Sequence, residues 1–247
     1  MAGDSLYFPN LEKTPLQPEH NLLRFIAEHS KHLQEWERNL ILIVEENSKY
    51  FIPQALTKIM NEGWACTIHY KIINELNLPD DLHLPFIKLH NQVVRPHLGR
   101  LNPYHLGFKL FEKIIEEKGF EEALLLRQIH NDITFLRCYL DQDFMTEMNY
   151  FSYSFKKDKK SNTIDNISDD EGWEKVRDDL IQNIGLNRVP IVFVDEVEKN
   201  NTLSLVHEHD GRDLDLAYAK KVYEYVQTLW KDEVRLTTVV ENEIWEF

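Results

Sequence analysis

Glu62 and His69 are the residues of this sequence whose types and spacing most directly suggest chemistry. They lie in a run of apolar residues at helical spacing from Gln54 to Leu76, which is bracketed by Pro53 and Pro79. A separation of seven residues is nearly two turns of an α-helix, so both side chains would lie on one helix face. A carboxylate and an imidazole placed together in this way can bind a metal ion or transfer a proton.

A purely structural interpretation of the same helix stays open. In that interpretation Glu62 is solvated and His69 is a hydrogen-bonded histidine of the core. Gly63 indicates a further constraint, because glycine inside a helix costs about 1 kcal/mol relative to alanine. Close packing of another backbone, or access to Glu62, would account for a glycine at this position. Cys66, one turn beyond Glu62, is more typical of a core thiol than of a nucleophile.

The surrounding helical region supplies further candidates for a site. His90 is a third candidate metal ligand beside Glu62 and His69. Asn102 is placed to cap a helix whose first position is Pro103. No two histidines show the His-x-x-x-His spacing of zinc-protease helices, so this chain alone does not present a complete metal site. The remaining candidates form a polar set in the same region: Arg100, Asn102, Tyr104, His130 and Asp132.

Two further histidine pairs are expected to be exposed. His207 and His209 lie in a predicted strand, where alternation puts both on one face and Glu208 on the other. Such a pair can hold a metal ion, but an exposed sheet face is the more common setting and the one that we expect. His29 and His32 are expected to lie beside a turn.

The charge and composition of the chain limit the kinds of protein that it can be. The chain has 247 residues, with 28 Lys and Arg against 42 Asp and Glu, which gives a net charge of −14. This balance argues against nonspecific binding to nucleic acid or to anionic membranes, since both need a basic surface. With 43% hydrophobic residues, the chain can bury a sizeable core.

Neither the cysteines nor the apolar runs indicate export or membrane insertion. Cys66 and Cys138 are the two cysteines, too few for a disulfide framework or a Cys-x-x-Cys zinc motif. The N-terminus lacks the pattern of a signal peptide, and no apolar run reaches the length of a transmembrane helix. We therefore expect a soluble cytoplasmic protein.

The pattern of apolar residues divides the chain into three parts. Residues 1–20 are predicted to be an irregular leader, and residues 21–148 a helical domain in which Pro53 breaks or kinks a helix. In residues 149–247, strands and helices follow the order β-α-β-β-α-β, with one extra edge strand and a polar loop over 156–168. That order is typical of a ferredoxin-like (split βαβ) fold. The predicted class is therefore α+β, an all-helical domain followed by a ferredoxin-like domain.

Several stretches of the chain match the pattern of one known family. They are Lys58–His69, Gly99–Gly107, Asn131–Leu136, Leu203–Leu205 through Leu214–Leu216, and Leu229–Trp230. On these stretches the chain resembles the SpoVR family, the stage V sporulation protein R group, from about Asn21 to the C-terminus. It resembles the C-terminal half of the family's usual chain, which is about twice as long.

The resemblance implies a sporulation or stress factor that acts through partner proteins. SpoVR-like proteins are cytoplasmic proteins of bacteria and archaea, implicated in forming the spore cortex in spore formers and in stress responses elsewhere. They are often encoded near a serine protein kinase and a von Willebrand-A-like protein. These two proteins are the partners that the resemblance implies.

A second resemblance implies a different function. Asn61–Ala65 resembles the Asn-Glu-Gly-(aromatic)-Ala helix of gluzincin peptidases, in which the Glu is the third zinc ligand. It implies a divalent metal such as zinc at Glu62, with His69 as an additional ligand or as a group that supports one. In this alternative the chain is part of a metallohydrolase, and Glu62 and His69 are its catalytic residues. The His-x-x-x-His ligands, found in the N-terminal half of the usual SpoVR chain, would lie outside this chain. Ile68 also stands where the family commonly has tryptophan.

Overall fold

The computed structural model describes residues 14–15, 17–97, 100–156 and 161–247. Contacts group the described residues into two compact units. One joins the residues up to Phe51 with Val189–Phe247, and the other is Ile52–Arg188. The division predicted after Met148 marks the point at which helices give way to strands, and most of the predicted leader lies outside the described residues.

The elements follow one another as a helical run and then a mixed run. The helices are α1 (Leu22–His29), α2 (Glu35–Leu56), α3 (Lys58–Glu75), α4 (Asp80–Val93), α5 (Pro103–Lys118), α6 (Phe120–Ile129), α7 (Asp132–Tyr139), α8 (Gln142–Glu147), α9 (Trp173–Gln182) and α10 (Leu216–Trp230). The strands are β1 (Phe151–Lys156), β2 (Ser161–Ile167), β3 (Ile191–Val197), β4 (Leu203–Glu208), β5 (Val234–Val240) and β6 (Glu243–Glu246). No helix among the described residues is both long enough and apolar enough to cross a membrane.

The core of the unit 52–188 forms around α3 and α5. Buried side chains from these helices, among them Met60, Leu110 and Phe111, pack with Phe135 of α7 and Met145 of α8. The predicted start of α5 is confirmed, because Asn102 accepts the Tyr104 N–H at 3.1 Å and Pro103 fills the first helical position.

Two local predictions in the same unit have different outcomes. Pro53 does not break α2, which continues to Leu56, and a kink at this proline stays a prediction. Ser161–Ile167 is not a loop but strand β2, paired antiparallel with β1 from Phe151↔Ile167 to Lys156↔Ser161. Its polar sequence has a low strand propensity, so the pairing with β1 decides its conformation.

The other unit is built on a four-stranded sheet in the order β3-β4-β5-β6. β4 and β5 are parallel and joined through α10, whereas the outer two pairs are antiparallel. Helices α1 and α10 share one core with this sheet, in which Phe25 stacks on Trp230 at 6.2 Å between ring centroids. Trp230 is fully buried, and its indole N–H donates to the Asn201 carbonyl at 2.7 Å.

The predicted α+β class is confirmed, since a helical N-terminal part precedes a mixed sheet with its helix. The order of strands differs from the split βαβ arrangement, because the four strands of the main sheet lie side by side in chain order, β3-β4-β5-β6. β1 pairs with β2 in a separate two-stranded sheet, so the four-stranded sheet has the order β-β-α-β-β. β1 forms an antiparallel hairpin with β2, which is the next strand along the chain. Antiparallel strands can pair through such a short connection, so β1 does not need a place in the main sheet.

Candidate functional site

The helix that carries Glu62 crosses α5 at a contact between two glycines. A Cβ added to Gly63 would lie 2.3 Å from the carbonyl carbon of Gly107. A Cβ added to Gly107 would lie 2.3 Å from the Ile59 carbonyl oxygen and 2.7 Å from the Gly63 Cα. Close packing of another backbone was one of the two reasons anticipated for Gly63, and it is confirmed.

The first turn of α3 is held by a carboxylate from another helix. Thr57 makes no capping bond with its side chain. Instead, the buried Asp132 accepts the N–H of Ile59 at Oδ2 and that of Met60 at Oδ1, both at 2.9 Å. Burial raises the pKa of Asp132 to about 6, although the backbone donors act in the opposite direction. Asp132 therefore fixes the start of α3, as a negative charge at a helix N-terminus does.

Glu62 lies in a half-buried setting between a phenol and a thiol. Tyr104 lies close to Glu62, and burial, followed by the effect of this carboxylate, raises the pKa of Tyr104. Burial also raises the pKa of Cys66, with a smaller contribution from the charge of Glu62. At neutral pH both neighbours therefore keep their protons. The arrangement places a carboxylate beside a protonated phenol and a protonated thiol.

His69 and His90 have different surroundings from Glu62. His69 is exposed, and its ring meets the Phe86 ring edge-on at 5.1 Å, so the interpretation of His69 as a core histidine is wrong. His90 is only 6% exposed and lies among the rings of Tyr70, Phe86 and Phe108. Burial, and then the neighbouring His69, lower the pKa of His90, and its Nε2 is buried without a hydrogen-bond partner in the described structure.

The assignment of Glu62, His69 and His90 as metal ligands stays a prediction. Within the described ranges, no three side chains of the His, Cys, Asp and Glu types are grouped closely enough to hold a metal ion. The structure brings Glu62 to Tyr104 and His90 near His69, but each pair has its own neighbours.

The other residues of the predicted polar set, Asn102, His130 and Arg100, each have their own surroundings. Asn102 is buried and donates to the carbonyls of Val93 and Arg95, at 2.9 and 2.8 Å, which ties the end of α4 to the start of α5. His130 pairs through Nδ1 with the Thr134 hydroxyl at 3.1 Å. Arg100 is exposed. The roles of these residues in chemistry stay predictions.

Replacing His90 with leucine is expected to leave the free energy of unfolding unchanged, or to raise it by up to about 1–2 kcal/mol. The reason is that a buried ring nitrogen without a partner costs its desolvation energy. The depressed pKa makes the wild type lose stability as pH falls below the ordinary value near 6.5, so the advantage of the variant should grow in acid. Urea unfolding of both chains at pH 5 and pH 7.5 measures this difference. A loss of more than 1 kcal/mol in the variant would contradict the assignment of His90 Nε2 as unsatisfied.

Three features of the structure were not predicted from the sequence. Gly107 was noticed only within a family stretch, although a glycine in the middle of a predicted helix was a signal in itself. The carboxylate of Glu45 is buried with Asn21, Arg24 and Lys49 around it, at a position that no local pattern distinguishes. His207 was expected on an exposed face, and it is buried.

Comparison with known proteins identifies one family for this chain. A family model described as SpoVR like protein matches residues 4–189, and a model of the SpoVR-like C-terminal domain matches residues 190–241. Uncharacterized protein YcgB of Escherichia coli (strain K12) is 29% identical over 254 residues, which is 90% of this chain and 50% of that protein. The chain thus spans about half the length of this curated relative. No solved structure matches the chain. Because the two family models together match nearly all of the sequence, the chain belongs to the SpoVR family.

Proposed function

We propose that the chain is a SpoVR-type factor that acts by binding a protein partner, in spore cortex formation in spore formers and in stress responses in other hosts. Membership of the SpoVR family supports the biological role. The proposed mode of action, binding to a protein partner, rests on an exposed apolar face of α2.

This face, which we call the α2 face, repeats at helical spacing. Its members are each more than half exposed, although all are large and apolar or aromatic: Trp36, Leu40, Ile43, Val44, Tyr50 and Phe51. At about 100° per residue they span roughly a third of the helix circumference, the width of a stripe that usually packs on a core. The opposite side of the same helix already buries Ile41 and Glu45. A helix with a second apolar stripe of this width is suited to pairing with another polypeptide.

Charge indicates the chemistry of the partner. The chain has a net charge of −14, and Glu35, Glu37 and Glu46 lie on the helix that carries the α2 face. A complementary surface would be an apolar groove or amphipathic helix with basic residues at its rim. The serine protein kinase and the von Willebrand-A-like protein implied by the family resemblance are the first candidates to test.

Changing Leu40 and Ile43 together to glutamate is expected to abolish function without unfolding the chain. Both side chains are more than half exposed, so the charges reach water in the monomer but would be buried in a complex. The host gene is deleted and replaced by the variant, and the readout is cortex peptidoglycan per spore, or survival of stress in a host without spores. Circular dichroism of the purified variant verifies folding.

The matched control is Ser48→Glu, which adds a charge to an exposed position of the same helix outside the α2 face. This variant should complement the deletion fully. If the folded double variant complements as well as the wild type, the α2 face is not the functional surface and the proposal fails.

A further inference from the structure

His207 lies on the buried face of β4, contrary to the exposed face expected from the sequence. It is 5% exposed and shares this side of the sheet with Leu203 and Leu205, whose side chains belong to the core under α10. Alternation alone gives two faces but does not say which of them is covered, which is why the expectation was wrong. An imidazole in this position is held by the sheet rather than by a flexible surface chain.

The contacts of His207 favour a proton on one of its two ring nitrogens, Nδ1. Its Nδ1 lies 2.9 Å from the hydroxyl oxygen of Thr238 on β5. The Thr238 hydroxyl in turn donates to the Val239 carbonyl at 3.5 Å, so its oxygen accepts the Nδ1–H. In that tautomer Nε2 is the unprotonated nitrogen of His207, and the hydrogen bonds found among the described residues involve the other ring nitrogen, Nδ1. A buried imidazole with an unused lone pair and a fixed tautomer is the form that binds metal ions.

His209 provides a second imidazole beside the first. The two ring centroids are 6.0 Å apart, and the ring planes are nearly perpendicular, at 89°. Two imidazoles that share one metal ion have centroids about 4.5–5.2 Å apart, because each metal–nitrogen bond is about 2.0 Å long and the two bonds are about 90–110° apart. The two rings must therefore approach each other by about 1 Å for one ion to bridge both.

The second ring is also oriented by a carboxylate. His209 Nε2 lies 3.2 Å from Asp213 Oδ1, so the other nitrogen, Nδ1, is the one available to an ion. Nδ1 accepts only a long contact of 3.4 Å from the Gly211 N–H. A carboxylate behind one histidine and a hydroxyl behind the other reproduce the supporting contacts of histidine metal ligands.

We propose that His207 and His209 form a binding site for a divalent transition-metal ion such as Zn²⁺. The ligand atoms are His207 Nε2 and His209 Nδ1, and Thr238 and Asp213 orient the two rings. Among the described residues, no third His, Cys, Asp or Glu side chain is grouped closely enough with these two to complete the site. Water fills the other positions, so the site is weaker than a closed structural zinc site. The inference does not depend on the proposed partner binding.

The test uses the purified full chain and titrates ZnCl₂ by isothermal calorimetry at pH 7.5. We expect one ion per chain for the wild type and at least tenfold weaker binding for His209→Ala. Asp213→Asn should weaken binding about tenfold, the usual effect of losing the group that supports a histidine ligand. The matched control is His32→Ala, because His32 also pairs with an aspartate, Asp232 at 3.0 Å, but has no place in the proposed site. This control should bind as the wild type does.

Because His207 is buried, its replacement could unfold the chain, so the wild-type protein also gives a direct readout. Long-range ¹H–¹⁵N spectra of the imidazoles should show Zn²⁺ shifting Nε2 of His207 and Nδ1 of His209 and leaving the His32 ring unchanged. Absence of binding at submillimolar Zn²⁺ would overturn the proposal. Equal affinity of the wild type and His209→Ala, or shifts at other histidines only, would also overturn it.

Discussion

Replacing Gly107 with alanine is expected to lower the free energy of unfolding by about 3 kcal/mol or more. The added Cβ would lie 2.3 Å from the Ile59 carbonyl oxygen, a backbone atom that can move only if α3 and α5 separate. Separation of the helices opens gaps in the core at Leu106, Leu110 and Phe111, which are fully buried. Urea unfolding followed by circular dichroism measures the loss.

The control for this prediction is Gly119→Ala. Gly119 has nothing within 4 Å of an added Cβ, so only backbone strain opposes the change, about 1–3 kcal/mol for a region near φ +92° and ψ 166° that glycine alone usually adopts. Gly63→Ala should cost about as much as Gly107→Ala, and the double variant less than the sum, because either Cβ forces the same separation. Equal stability of Gly107→Ala and Gly119→Ala would contradict the glycine crossing.

Asp132→Asn is expected to cost about 2 kcal/mol at pH 7.5 and about 1 kcal/mol more at pH 5. An amide presents one oxygen, so either the Ile59 or the Met60 N–H loses its acceptor. Burial raises the pKa of Asp132 to about 6 in the folded chain, from an ordinary value of 3.8. Its protonation therefore stabilises the wild type fully below pH 3.8, and this contribution is lost as pH rises through about 6. Urea unfolding of both chains at the two pH values measures the difference.

Asp141→Asn serves as the control for the pH dependence. Burial acts to raise the pKa of Asp141, but hydrogen bonds from Lys113 and the Phe144 N–H hold it below its usual range. A carboxylate with a depressed pKa stabilises the fold above pH 3.8 and loses that contribution only in stronger acid, so the cost of this variant should be equal at pH 5 and pH 7.5. A cost of Asp132→Asn that grows with pH would contradict the raised pKa.

Features that depend on neighbouring residues could be predicted from the sequence. The cap at Asn102, with Pro103 after it, follows from side-chain chemistry within a single turn. The strands over residues 191–197 and 234–240 follow from β-branched runs between polar turns. The need for a close backbone neighbour at Gly63 was also predictable, because glycine has no other advantage inside a helix.

Features that depend on distant residues could not be predicted. No local pattern indicates that Gly107 meets Gly63, or that the Asp132 carboxylate accepts amides at the start of α3. Both contacts arise only when the helices pack. The same is true of the candidate site, because its side chains come from different helices. Glu62 and Tyr104 were identified one by one, but their proximity, and the separate surroundings of His69, depend on how α3, α4 and α5 are arranged.

The glycine crossing also has a consequence for how this family can diverge. Because each glycine leaves room for the backbone of the other, a larger residue at either position is tolerated only if the two helices move apart. Positions 63 and 107 should therefore covary among related sequences, retaining small residues together or departing from them together. In a relative with a large residue at only one of the two positions, α3 and α5 would have to lie farther apart than they do here. Small residues at both positions would therefore identify relatives that share this packing of α3 against α5.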